Sequence, residues 1–292
     1  MSNNLNKAKK KSFLDEAVKF SLLSILLGLL VGAIVLMISG RSPIVVYGAM
    51  IEGIIGKPKY IAWTIIKATP YILTGLSIAF AFKTGLFNIG AEGQFIVGAL
   101  VATLVGVGVD LPAIIHIPLT ILCAAVAGGL WGSIAGFLKS KFGINEVIVC
   151  IMLNWIAFYF SNFMVSNSFI SVANSESSVA INDSASIGIS WMKGLVGPAT
   201  SVNWGIVISI ILVFVVWFIL NKTTLGFELK AVGHNKDAAE YAGIDVSKSM
   251  LKSMAMAGIL AGIAGAIQVM GVTHNITVLA AQEGYGFDGI AV

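Results

Sequence analysis

The segment 85–94 carries the side chains best suited to chemistry, because it places one carboxylate and two carboxamides inside an apolar region. A charged side chain is costly in lipid and therefore faces a protein interior or a water-filled cavity. Glycines at membrane depth indicate a helix that begins or breaks where its backbone lines such a cavity. The segment therefore predicts a membrane protein that handles a polar solute. Its polar residues are Asn88, Glu92 and Gln94, and its glycines are Gly85, Gly90 and Gly93.

Two interpretations of these polar residues are open. In the first, the carboxylate and carboxamides offer hydrogen bonds to hydroxyl groups or to a base edge, and the glycines allow the solute to approach the backbone. In the second, Glu92 lies one turn into a helix, near its cytoplasmic end, and only caps or braces it. We favour the first interpretation, because intramembrane acids are usually functional. The predicted substrate path comprises Asn88, Gly90, Glu92, Gly93 and Gln94.

Composition identifies the class of protein to which these residues belong. Of the 292 residues, 57% are hydrophobic and 11% are charged, whereas a soluble chain carries about 25% charged residues. The net charge of +4 is too small and too dispersed to indicate nucleic-acid binding. Cys123 and Cys150 lie in apolar runs, and their spacing indicates neither a disulfide framework nor a metal site. We expect an all-α, polytopic helical membrane protein.

About seven apolar runs are long enough to span a membrane, and broken helices are expected among them. The basic residues favour a cytoplasmic N-terminus under the positive-inside rule, with Lys67 among the few on the outer side. We expect a basic cytoplasmic segment at 1–19 and a transmembrane domain at 20–292. An apolar run begins after Tyr285, so we expect a further span beyond Val292 and a C-terminally truncated chain. The predicted spans are 20–38, 61–82, 88–108, 113–138, 146–165, 203–220 and 253–273.

Two loops differ in character. The external loop, 166–202, is rich in Ser, Asn and Gly, and is either a solvated connector or a docking surface for an extracellular partner. The cytoplasmic loop, 221–252, contains a predicted helix of one to two turns. Asn235 can cap its beginning and Gly243 can end it. Ala238, Ala239 and Ala242 give this helix a small, close-packing face.

Three sets of motifs resemble the permease subunits of bacterial ABC importers for nucleosides and simple sugars. The nucleoside branch fits better than the ribose branch, because Phe-Asn-Ile-Gly-Ala-Glu-Gly-Gln at 87–94 replaces a Leu-Ser-Val-Gly type of segment. The resemblance covers nearly the whole chain from about Arg41 onward. Its motifs are Ala68-Thr69-Pro70 with residues 83–94, Asn145-Glu146-Val147-Ile148 with Leu153-Asn154, and residues 233–244.

The resemblance implies a coupling helix in the cytoplasmic loop, which docks into a groove of a separate ABC ATPase subunit. A simple tight connector is the alternative. It also implies a second permease subunit, identical or paralogous, an extracellular solute-binding lipoprotein, and a multi-pass position in the lipid of the bacterial cell membrane. The solute crosses by alternating access. The residues assigned to ATPase coupling are Gly233, Asn235, Ala238, Ala239, Gly243 and Ile244.

The chain lacks a Gly-x-x-x-x-Gly-Lys-[Ser/Thr] phosphate loop, so we expect no enzyme activity in it. ATP and Mg²⁺ would bind the partner subunit, and we expect no cofactor or metal in this chain. Two other functions compete with a nucleoside importer: a simple-sugar ABC permease and an ion-coupled secondary carrier. A carrier predicts a relay of buried acids, and Glu92 is the one good candidate. A scaffold or membrane enzyme would leave the polar segment unexplained.

Overall fold

A computed structural model describes residues 2–197 and 200–292 of the chain. Parts of two predicted segments lie outside the described residues: Met1 of the 1–19 segment, and Pro198 and Ala199 of the 166–202 loop. The described residues form helices joined by turns and three isolated β-bridges. The α-helices are α1 (Ser2–Ile38), α2 (Pro43–Ile55), α3 (Pro58–Phe82), α4 (Ala91–Gly108), α5 (Ala113–Phe142), α6 (Glu146–Asn167), α7 (Lys193–Val196), α8 (Gly205–Lys222), α9 (Thr224–His234), α10 (Lys236–Tyr241), α11 (Val246–Gln268) and α12 (Tyr285–Asp288).

Seven helical segments within the described residues are long and apolar enough to cross a membrane, which confirms the polytopic helical fold. The orientation of the N-terminus stays a prediction. The seven segments are Val18–Ile38, Pro58–Phe82, Ala91–Gly108, Ala113–Phe142, Glu146–Asn167, Gly205–Lys222 and Val246–Thr273.

Two differences between predicted and observed span boundaries have a clear local cause, and one helix was not predicted. The third span begins at Ala91 rather than at Asn88, because residues 83–90 form a turn instead of a helix. The last long helix, α11, begins at Val246 rather than at residue 253, because Asp245 caps it: its Oδ1 accepts the N–H of Lys248 at 2.9 Å. Helix α2 was not predicted, since its 13 residues are too few for a span.

The chain divides into two compact units, Met1–Ile61 and Ala62–Val292. The first unit contains α1 and α2. Within it, the hydroxyl of Tyr47 on α2 donates a hydrogen bond of 2.6 Å to the carbonyl oxygen of Leu29 on α1. This bond satisfies a polar group that lies in otherwise apolar helices.

The second unit is organised around α11, which packs against α4 and α5. Small residues make this packing close. A Cβ atom on Gly258 would overlap the backbone of Gly128 on α5, and one on Gly98 of α4 would overlap the backbone of Gly262. Helices in membranes approach each other through such small residues, which increase van der Waals contact. The glycine-rich runs at 127–132 and 257–265 are therefore helix-packing faces.

The residues after α11 form an irregular C-terminal segment, 274–292. It follows a π-helical turn, Val269–Thr273, and first runs beside the 166–202 loop, where the N–H of Ser178 donates to the carbonyl of Ile276 at 2.8 Å. It then turns back among the helices of the second unit, where α12 packs against α4. Three residues of the 166–202 loop, Ile181, Ala185 and Ile187, are buried in the same apolar core as α11. Much of this loop is therefore packed on the helices.

Candidate functional site

Glu92 lies in the first turn of α4 and is completely buried. Its two carboxylate oxygens accept backbone N–H groups of the C-terminal segment, from Gly284 at 2.8 Å and from Gly286 at 2.7 Å. These donors flank the beginning of α12, whose first N–H groups have no partner within the helix. Hydrogen bonds to a charged acceptor are among the stronger ones in proteins. Glu92 thus clamps the C-terminal segment to α4.

Asn88 and Gln94 form a reciprocal amide pair. The Nδ2 of Asn88 donates to the Oε1 of Gln94 at 2.9 Å, and the Nε2 of Gln94 donates to the Oδ1 of Asn88 at 3.1 Å. Asn88 also donates to the hydroxyl of Ser77 on α3 at 3.1 Å. Both amides are at most 1% exposed. The pair fixes the turn at 83–90 against the beginning of α4.

The two predicted path glycines lie where other groups approach closely. A Cβ atom on Gly90 would lie 3.0 Å from the sulfur of Cys150, and one on Gly93 would lie 2.8 Å from the Oδ1 of Asn154. Asn154 of α6 accepts the N–H of Gly93 at 2.9 Å and donates to the carbonyl of Ile89 at 3.0 Å. The absence of side chains at these positions therefore lets α6 approach the beginning of α4.

The five predicted path residues thus lie together around the N-terminus of α4. Their polar side chains, Asn88, Glu92 and Gln94, are buried and bonded to other parts of the protein. This geometry agrees with the bracing interpretation of Glu92. The role of the five residues in a substrate path stays a prediction.

The predicted coupling residues surround the short helix α10. The Oδ1 of Asn235 accepts the N–H of Ala238 at 3.0 Å, and Gly243 just beyond the helix adopts a left-handed backbone with φ of 84°. The cap and the helix are therefore confirmed. Ile244 returns its N–H to the carbonyl of Ala239 at 3.0 Å. Ala239 is buried and Ala238 is exposed, so the two alanines face different surroundings.

The coupling loop ends in an exposed acid, Asp245. Its carboxylate accepts the backbone N–H of Lys248 and lies 3.0 Å from the ammonium of the same residue. Both interactions favour the charged form, and the backbone hydrogen bond contributes most to holding the pKa of Asp245 below its usual value. The cap therefore stays ionised at neutral pH.

The coupling loop and the polar segment are in direct contact. Gly233 at the end of α9 lies against the backbone of Lys83 and Thr84, so closely that a Cβ atom on Gly233 would overlap the carbonyl oxygen of Lys83. The hydroxyl of Thr84 donates to that of Ser253 on α11 at 2.8 Å. The beginning of the turn that carries Asn88 is thus held by both α9 and α11.

A second cluster of polar side chains was not predicted from the sequence. The hydroxyl of Tyr285 accepts hydrogen bonds from Lys67 at 3.4 Å and from Gln268 at 3.3 Å, and the hydroxyl of Tyr71 donates to Asp288 at 3.3 Å. Lys67 carried a usable signal, since it interrupts the apolar sequence of α3. Its partners come from segments about 200 residues away, and local sequence carries no signal for such a contact.

A polar cavity of about 640 Å³ lies between the 166–202 loop and the end of α11. Serine hydroxyls, one carboxylate and one imidazole line it. Whether the loop is a solvated connector or a docking surface stays a prediction. The polar lining residues include Asp183, Ser186, Ser190, Ser201 and His274.

Comparison with known proteins identifies a family. Residues 60–292 match the family described as the permease component of the branched-chain amino acid transport system. This range contains the polar segment, the coupling loop and the C-terminal segment. No solved structure matches the chain.

Three curated relatives carry more specific names. The guanosine ABC transporter permease protein of Bacillus subtilis is 45% identical over 271 residues, which cover 93% of this chain and 77% of the relative. The nucleoside ABC transporter permease protein of Lactococcus lactis is 39% identical, and the match covers 93% of this chain and 76% of the relative. The glucose ABC transporter permease protein of Haloferax volcanii is 32% identical, and the match covers 92% of this chain and 72% of the relative.

Proposed function

Since the chain belongs to this family of transport-system permease components, we propose that it imports nucleosides as the transmembrane subunit of an ATP-driven transporter. It is a multi-pass membrane protein. The solute crosses the bacterial cell membrane by alternating access. The family name refers to amino acids, but two relatives with 45% and 39% identity are named for guanosine and for nucleosides. Nucleosides are therefore the favoured substrate class.

The contact between Gly233 and Lys83 is the structural observation that best supports this function. An ATP-driven permease must transmit motion from an ATPase to the solute path. Helix α10 is short, begins three residues after Gly233 and exposes most of its surface. A partner that moves α10 would therefore displace the turn at 83–90 and, through it, the beginning of α4.

The partners follow from this assignment. An ABC ATPase subunit would bind the exposed surface of α10, because a helix of six residues is marginally stable until a groove holds it. ATP and Mg²⁺ would be bound there and not by this chain. An extracellular solute-binding lipoprotein would deliver the solute near the polar cavity beside the 166–202 loop. A second permease subunit, identical or paralogous, would complete the path.

A simple-sugar permease is the second candidate, and the glucose relative at 32% identity is the observation that favours it. The two candidates share the same hydroxyl chemistry and differ in the base. The test is uptake of labelled guanosine by cells that express the transporter with its ATPase and binding protein. Excess unlabelled ribose is the competitor.

Each outcome of this test has a definite meaning. Guanosine uptake that resists ribose and stops when ATP is depleted supports the nucleoside importer. Competition by ribose moves the assignment to a sugar importer. Uptake that a proton uncoupler abolishes while ATP is maintained would instead support an ion-coupled carrier. Cells without this chain serve as the control for endogenous uptake.

A further inference from the structure

Four polar side chains lie around Tyr285 in the second unit: Lys67 bonds its hydroxyl, Tyr71 packs on its ring, and Glu283 and Asp288 lie two residues before it and three residues after it in the chain. We call them the polar patch: Lys67 and Tyr71 of α3, with Glu283 and Asp288 of the C-terminal segment. Lys67, Glu283 and Asp288 are exposed, and Tyr71 is half-buried. Two carboxylates and one ammonium give the patch a net charge of −1. None of these residues belongs to the predicted substrate path or to the coupling loop.

Lys67 lies within the Pro58–Phe82 helix, which is long and apolar enough to cross a membrane, rather than at either of its ends. Lys67 follows Pro58 by nine residues and precedes Phe82 by 15. At 1.5 Å per residue it lies about 14 Å from one end of α3 and about 22 Å from the other. Tyr71 lies one turn further along the helix. Exposed charges within a spanning helix are costly in lipid and face a protein partner or water instead.

The patch is held in a defined arrangement. Lys67 donates to the hydroxyl of Tyr285 at 3.4 Å, and Tyr71 donates to Asp288 at 3.3 Å. The rings of Tyr71 and Tyr285 pack with centroids 5.3 Å apart. Glu92 clamps the backbone between the two acids of the patch through Gly284 and Gly286. A site built on supported side chains loses little freedom when it binds a solute.

The two carboxylates have unused hydrogen-bonding capacity. Glu283 has no hydrogen-bond partner for its carboxylate among the described residues, and Asp288 accepts the single hydrogen bond from Tyr71. Ionised carboxylates only accept hydrogen bonds, so the groups they select are donors such as hydroxyls. A net negative charge also disfavours phosphorylated solutes. The patch therefore suits a neutral solute that carries hydroxyl groups.

We infer that the polar patch binds the nucleoside on the translocation path, with Glu283 and Asp288 accepting the hydroxyl groups of its ribose. Lys67 balances one of the two negative charges, and Tyr71 orients Asp288. This inference rests on the proposed nucleoside importer. It assigns the solute contact to residues other than Asn88, Glu92 and Gln94, which are already bonded within the protein.

The test compares guanosine with 2′-deoxyguanosine, which lacks one ribose hydroxyl. Initial uptake rates are measured in proteoliposomes that contain the complete transporter and its binding protein. We expect that Asp288→Asn with Glu283→Gln reduces the preference for guanosine by about tenfold, the value of one charge-assisted hydrogen bond. The binding protein is the same in all samples, so a change in the preference reports on the permease. Tyr71→Phe should reduce it by a smaller factor.

Asp110→Asn is the matched control, because Asp110 is an exposed acid in the turn between α4 and α5 and lies outside the patch. It should keep the wild-type preference. An unchanged preference in the double variant, with guanosine still imported, overturns the inference. If the double variant imports neither nucleoside, its ATPase rate decides: a retained rate supports the patch, and a lost rate overturns it. No guanosine uptake by the wild type would instead refute the proposed function.

Discussion

The carboxylate of Glu92 accepts the backbone N–H of Gly286 at 2.7 Å, although the two residues are 194 positions apart. Together with the bond from Gly284, this contact joins the polar glycine-containing segment early in the chain to a second one near its end. Both segments interrupt regular helix where other helices pack around them.

Glu92→Gln should lower the free energy of unfolding by about 2 kcal/mol, because a carboxamide keeps one acceptor oxygen and opposes the other N–H with a donor. The measurement is the melting temperature of the purified protein in detergent. Glu228→Gln is the control, since the ion pair of Glu228 with Lys252 is long, at 3.8 Å, and exposed to solvent. Equal melting temperatures for the Glu92 variant and the wild type would contradict the clamp.

Gln94→Met should destabilise the protein by about 1–3 kcal/mol, because it leaves the buried amide of Asn88 without its main partner. Adding Asn88→Leu should recover part of this loss, since both polar groups are then removed together. A double-mutant cycle of melting temperatures measures the coupling between the two side chains. Purely additive effects would show that the amide pair contributes no stabilising interaction.

Gly233→Ala should impair transport, because its methyl group would overlap the carbonyl oxygen of Lys83 and separate α9 from the turn at 83–90. We expect at least a tenfold loss of uptake, which corresponds to about 1.4 kcal/mol. Gly48→Ala is the control, since a Cβ atom there meets nothing within 4 Å. Full uptake by the Gly233 variant would remove this contact from the coupling route.

Ala238→Leu should reduce ATP-driven uptake by about tenfold or more while the protein still folds, because Ala238 is exposed on the surface proposed to bind the ATPase. Ala239→Leu should instead lower the amount of folded protein, since Ala239 is only 4% exposed and a larger side chain overpacks its site. Ala280→Leu, at another exposed alanine, should change neither. Wild-type uptake by the Ala238 variant would contradict the docking surface.

The spans could be predicted because apolar runs of about 20 residues are unambiguous over most of the chain. Local rules also predicted α10, since Asn235 and Gly243 are characteristic cap residues. Helix α2 was missed because it is short, and the start of α11 was misplaced because the polar residues Lys248 and Lys252 lie in its first turns.

The arrangement of the site was less predictable. The polar character of Asn88, Glu92 and Gln94 marked the segment, but their partners are set by tertiary packing. Glu92 binds residues nearly 200 positions away, and Asn88 binds Ser77 on a neighbouring helix. Lys67 was expected to be an outer-side charge. Its contact with Tyr285 depends on the path of the C-terminal segment, which periodicity does not encode.

The close approach of Gly233 to Lys83 has a mechanical consequence. Two backbones meet there without side chains between them. Side chains can absorb a displacement by changing rotamer, whereas two backbones in direct contact transmit it to each other. The contact between Gly233 and Lys83 is therefore stiff. A movement of α10 that also moves α9 would therefore be passed on to the turn at 83–90.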